Sequence, residues 1–239
     1  MKYSRAHYKQ KANELLVNKF QTPVIVLLVI FLTDTIISSV RTWAGPSYSI
    51  SADFLDITEI PAKMPGLYYI LGIVSFIVAA LFLYAKAKMF IQIATEEPTD
   101  LKNILKTTYQ EEPVRSVIME LLASIYISLW TMLLIIPGIV KIYAYSMKFY
   151  LASKDHSLSA SEAITRSKEL TQDSKWELFI LDLSYLGWYF LGLLTFGILW
   201  LWVHSRHMTA RTLMFEEIYN RKTFINVETN LDALERLSR

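Results

Sequence analysis

The chain contains no cysteine. That excludes disulfides, thiolate-ligated zinc, iron–sulfur clusters and thiol nucleophiles together. With 7 Gly and 7 Pro in 239 residues it is too poor in both for a low-complexity or disordered chain, and with 19% charged residues it is too sparsely charged for an ordinary soluble domain. No Gly-rich phosphate loop, G-x-S-x-G elbow, paired-carboxylate motif or H-E-x-x-H spacing occurs. We therefore expect no enzymatic activity, no cofactor and no metal site. His204 and His207 are close enough to suggest a metal pair, but Arg206 between them repels a cation.

What the chain has is apolar length, with 53% hydrophobic residues. A bilayer-spanning helix needs about 20 predominantly apolar residues at about 1.5 Å each. Phe20 to Val40 is one such run, and Gly66 to Tyr84 leads a second that continues to about Ala94. Val117 to Ala152 carries only Glu120, Lys141 and Lys148 as charges, and Trp176 to about Glu216 is similar. A single helix over Val117 to Ala152 would reach about 54 Å, well beyond a hydrocarbon core of about 30 Å. The chain must turn back, and Pro137 with Gly138 supply the turn. Gly197 divides the last run in the same way.

The reading is an all-α polytopic membrane protein. Six transmembrane helices form three hairpins over about 20–40, 66–93, 117–136, 138–152, 176–196 and 197–216, with short amphipathic cytoplasmic helices between them. A basic amphipathic arm, 1–19, precedes the membrane domain of 20–217, and a cytoplasmic tail, 218–239, follows it. Lys2, Arg5, Lys9, Lys11 and Lys19 before the first span make it a signal anchor, since its apolar part is too long for a cleaved leader. The segment from Arg41 to Pro65 sets Arg41 and Lys63 against Asp53, Asp56 and Glu59, while nearly all other Lys and Arg fall at the opposite ends of the spans. By the positive-inside rule both termini are cytoplasmic.

Sliding the chain so that Tyr84 falls on Tyr143 also places Ala85 on Ala144 and Phe90 on Phe149, and the same shift places Gly138 on Gly197. This suggests a repeated hairpin unit. Capping residues open the polar helices: Asp100 before "LKNILKTTY", Ser159 with Glu162 at capping-box spacing, and Asn230 before "LDALERL". Leu101, Ile104 and Leu105 form a stripe suited to the inner membrane surface. The arm, with Leu15, Leu16 and Phe20, is expected to lie on anionic headgroups of the lipid bilayer rather than on nucleic acid.

The stretch "IPGIVKIYAYSMKFYLASKDHSLSASEAITRSKELTQDSKWELFILDLSYLGW" with "LLTFGILWLW" resembles the bacterial integral-membrane family known as domain of unknown function 975. The shared features are the Pro-Gly hairpin, a tyrosine and serine run, the "SxxEAIxxS" helix and the "KWxLFxLDLSxxGW" segment. The resemblance implies a multi-helix protein of a bacterial cytoplasmic membrane and brings no chemistry. This chain departs from it after "LWLW", with His204, Ser205, Arg206 and His207 where a Pro or Tyr is expected.

An unpaired charge in hydrocarbon costs on the order of 3 kcal/mol or more, so intramembrane charges should have partners. Matched depths suggest Asp34 with Lys141 as a structural pair, and Asp182 with Arg206 across the last hairpin. Glu120 has Lys88, Lys148 or Arg211 within reach. Two functions follow. In one the charges pin helices together, and the chain is a non-enzymatic accessory or scaffold subunit that binds lipid, another membrane protein or a second copy of itself. In the other, Asp182, Arg206, His207, His204 and Glu120 line a polar path, and the chain is a small permease or exporter of peptides or amphiphiles.

Overall fold

A computed structural model describes residues 4–17, 19–50, 57–110, 113–195 and 197–237. The element order is α1 (Arg5–Leu16), α2 (Gln21–Ala44), β1 (Ser47–Ile50), β2 (Ile57–Ile60), α3 (Pro65–Ala94), α4 (Leu101–Gln110), α5 (Pro113–Leu133), α6 (Ile135–Ala144), α7 (Lys148–Lys154), α8 (Ala160–Leu170), α9 (Lys175–Leu194) and α10 (Ile198–Leu237). The fold is helical apart from one short antiparallel ladder, β1 with β2, in which Ser47 faces Ile60. That ladder lies between the first two apolar helices, and Asp53 and Asp56 of the same connection lie outside the described residues. Three helices, α2, α3 and α5, are long and apolar enough to cross a membrane.

Sequence-adjacent helices pack in pairs. Arg41 of α2 lies over the Tyr68 ring of α3 at 5.0 Å, Lys141 of α6 lies over Trp130 of α5 at 4.5 Å, and Trp200 of α10 donates to the Tyr189 carbonyl of α9 at 2.9 Å. The α5–α6 reversal sits at Leu134, whose backbone is extended. Pro137 is therefore not the corner itself but the third residue of α6, where its missing N–H is one of the four that a helix start leaves without a partner. Gly138 permits the close approach, because a Cβ there would meet the backbone and side chain of Thr131. Gly197, at φ +86°, makes the α9–α10 turn in the left-handed region that favours glycine.

The fourth expected span, 138–152, is not one helix. It breaks at Tyr145–Met147 into α6 and α7, and α6 alone is about 15 Å long, half a hydrocarbon core. The break also interrupts the repeat, because Tyr84 to Phe90 is continuous helix while the matched Tyr143 to Phe149 is not. Side chains from α8 and its C-cap hold it open: Ser167 Oγ donates to the Ala144 carbonyl at 2.8 Å and accepts from the Met147 N–H at 3.1 Å, and Thr171 Oγ1 donates to the same carbonyl at 3.2 Å.

The expected capping box at α8 is present. Glu162 N–H donates to Ser159 Oγ at 3.3 Å, and Ser159 N–H donates to the Glu162 carboxylate at 2.8 Å. Hydrogen bonds from the Ser159 hydroxyl and amide hold the Glu162 carboxyl below its ordinary value. A depressed carboxylate stabilises the fold fully above its unfolded pKa, and that stabilisation is lost as pH falls through the folded one. Ser159→Ala is expected to cost about 1 kcal/mol at neutral pH. The difference from the parent chain, measured by chemical denaturation in micelles, should shrink as pH falls below the ordinary glutamate range; a difference independent of pH would remove the reciprocal box.

The packed core lies in one half of the bundle. Tyr84, Met89, Phe90 and Ile93 of α3, Tyr150 and Leu151 of α7, Leu178 and Leu181 of α9, and Met214 and Ile218 of α10 are buried. The other half presents apolar side chains outward: Met132 is 90% exposed and Ile136 76%. An exposed apolar face of this extent is a liability in water and ordinary in a bilayer. The arm packs one side on the rest of the fold, burying Tyr8, Ala12 and Leu16 at helical spacing, with Tyr8 hydrogen-bonded to Glu217 of α10. One terminal expectation is corrected. Asn230 opens no separate helix, because α10 runs unbroken through it. Ile104 of the α4 stripe is buried, and the side chains of Leu101 and Leu105 lie outside those described.

Candidate functional site

Asp182, Tyr185 and Tyr189 share one face of α9 at i, i+3 and i+7. His204, His207 and Arg211 share the facing side of α10 at i, i+3 and i+7. The two faces meet. Asp182 Oδ1 accepts from His207 Nε2 at 2.7 Å, and Oδ2 accepts from Arg211 Nη1 at 3.0 Å. A carboxylate only accepts, so Nε2 carries a proton, and Nδ1 lies 3.0 Å from the Tyr189 hydroxyl oxygen. Tyr185 stacks on the His207 ring with centroids 4.7 Å apart. His204 Nδ1 is 3.4 Å from the same Tyr189 oxygen.

Arg206 is not the partner of Asp182. One residue before His207 it points to another face, where its guanidinium lies over Trp202 at 3.3 Å and its buried Nε has no hydrogen-bond partner among the described residues. Arg211 takes the role assigned to it, and the signal was available: His207 and Arg211, at i and i+4, share a face that an adjacent residue cannot. Asp34 and Lys141 are not brought together either. Lys141 rests on Trp130 of its own helix pair, while α2, which carries Asp34, packs against α3. Glu120 does meet one of its expected partners, Lys148, at 2.9 Å.

One cavity borders this network at Arg211, and a second shares residues with that cavity. The first, of about 250 Å³, is bounded by α3, α5, α6, α7 and α10, and its charged lining is Lys86, Glu120, Lys148 and Arg211. The second, of about 390 Å³, lies between α2 and α3, lined by Leu27, Ile30, Phe31, Val78 and Phe82, with Asp34 and Ser75 also on its wall. Lys86 and Leu83 belong to both. Lys86 carried no expectation from sequence, hidden in the apolar stretch "LFLYAKAKMF". Among the described residues no group of three or more His, Asp or Glu is placed to hold a metal ion.

Residues 131–222 match the family model described as Protein of unknown function (DUF975). The matched segment holds Gly138, the α6–α7 break, the capping box, Asp182, His207 and Arg211, so the resemblance carried by the Pro-Gly hairpin and the "KWELFILDLSYLGW" segment is shown there. Comparisons with curated proteins and with solved structures give no match.

Proposed function

We propose that this chain is a non-enzymatic accessory or scaffold subunit of a bacterial cytoplasmic membrane, binding another membrane protein or lipid. It crosses the bilayer six times as three hairpins, with both termini cytoplasmic, and α6 and α7 together make the fourth crossing. The observation that carries the interaction role is the state of Asp182. Both of its carboxylate oxygens are held by groups of its own fold, His207 and Arg211. A carboxylate engaged in this way pins two helices in register and is not poised to exchange partners with a passing ion or peptide.

The test has two parts. Purification of the tagged chain in mild detergent, with mass spectrometry of what accompanies it, should return a specific membrane protein or lipid; recovery of neither would overturn the reading. Single cysteines placed at 203–210 of this cysteine-free chain should be protected from a membrane-impermeant thiol reagent on both sides. Labelling with a period of about 3.6 residues past Arg206 would transfer the argument to the permease.

A further inference from the structure

The cavity bounded by α3, α5, α6, α7 and α10 is not electrically balanced. Three cations, Lys86, Lys148 and Arg211, line it. Two carboxylates answer them, Glu120 at 2.9 Å from Lys148 and Asp182 at 3.0 Å from Arg211. Lys86, largely enclosed by its neighbours, makes no ion pair or hydrogen bond among the described residues. A half-buried ammonium with no carboxylate against it favours an anion that joins it.

The position of Lys86 says what kind of anion fits. Counted from Pro65 at the start of α3, about 20 residues cross a 30 Å core, which puts the far boundary near Ala85 and Lys86, at headgroup level. From Lys86 the cavity between α2 and α3 runs back along Leu83, Phe82, Ala79 and Val78 to Ser75. That is about 16 Å along the helix, close to the depth of one leaflet. Its wall is apolar until Asp34 and Ser75 close the distant end. A cationic chamber and an apolar groove one leaflet deep, with Lys86 and Leu83 on the walls of both, together have the chemistry of an amphiphile with an anionic head.

We propose that Lys86 binds the phosphate of an anionic phospholipid whose acyl chain lies in the groove between α2 and α3. Lys148 and Arg211 are the flanking cations, already tied to Glu120 and Asp182, so the lipid supplies the charge that the protein lacks. This rests on the lipid-binding side of the proposed function and names its headgroup class and its site.

The experiment uses the full chain in nanodiscs and micelles, with three probes: phosphatidylglycerol, phosphatidylcholine and inorganic phosphate. Phosphatidylglycerol should raise the melting temperature and remain bound in native mass spectrometry, while phosphatidylcholine and inorganic phosphate should do neither. Lys86→Gln should weaken phosphatidylglycerol binding about tenfold or more, the scale of one charge-assisted hydrogen bond. Lys102→Gln, on the exposed side of α4, should leave it unchanged. Should Lys86→Gln fail to fold, Leu27→Trp keeps the cation and fills the groove, and loss of lipid binding is again expected. Equal binding by parent and Lys86→Gln, or equal protection by inorganic phosphate, would overturn the lipid site. A protein partner recovered by Lys86→Gln as by the parent would leave the scaffold role standing while those results removed the lipid.

Discussion

Asp182→Ala is expected to lower the stability of the folded chain by about 3–5 kcal/mol, the cost of leaving a buried charge without its partner. The side chains of Asp182, Arg211 and His207 are 18%, 17% and 11% accessible, so water does little to screen the loss. Truncation deprives Arg211 of the carboxylate it pairs with and His207 of the acceptor for its Nε2. Asp182→Asn keeps the shape and one acceptor but not the charge, and its loss should fall between parent and alanine. Pairing Asp182→Leu with Arg211→Met should recover much of the loss, since exchanging both members of a buried pair for apolar groups is often neutral or stabilising. Denaturant titration in micelles, followed by tryptophan fluorescence and analysed as a double-mutant cycle, measures these terms. An unchanged midpoint for Asp182→Ala would mean hydrated charges and would remove the pin.

What could be seen in the sequence was what is encoded locally. The capping box needs only Ser159 and Glu162 three residues apart on one helix start, and it formed as expected. The helix boundaries of α2, α3 and α9 follow the apolar runs, which can be read residue by residue along the chain. The corner near Pro137 was displaced to Leu134 because proline is accommodated in a first helical turn, where its missing N–H costs nothing.

The side-chain partners were harder, because depth along a helix is readable from residue counting while facing direction depends on tertiary contact. Depth alone suggested Asp182 with Arg206 and Asp34 with Lys141. In the first case, facing direction replaced Arg206 by His207 and Arg211. In the second, the choice depended on which pairs pack: α6 lies on α5, so Trp130 was within reach of Lys141 and α2 was not. Nothing local marks the α6–α7 break, since its stabilising groups, Ser167 and Thr171, stand on another helix.

Ser167→Ala carries the second large expected effect, about 1–3 kcal/mol, the cost of a buried backbone group left without a hydrogen bond. Ser167 is fully buried, and among the described residues its hydroxyl is the group that accepts from the Met147 N–H, whereas the Ala144 carbonyl also accepts from Thr171. The order of losses should therefore be Thr171→Val, then Ser167→Ala, then the double variant. Amide exchange at Met147 should accelerate in Ser167→Ala and not in Thr171→Val; equal effects in both would sink this account. The consequence reaches the cavity. Lys148 is the first residue of α7, and the break sets the direction from which it meets Glu120 at 2.9 Å. If α6 and α7 relax toward a continuous helix, Lys148 rotates with them. The Glu120–Lys148 coupling energy from a double-mutant cycle should then be smaller in the Ser167→Ala background than in the parent, which links the serine of the "SxxEAIxxS" helix to the charge of a chamber it does not touch.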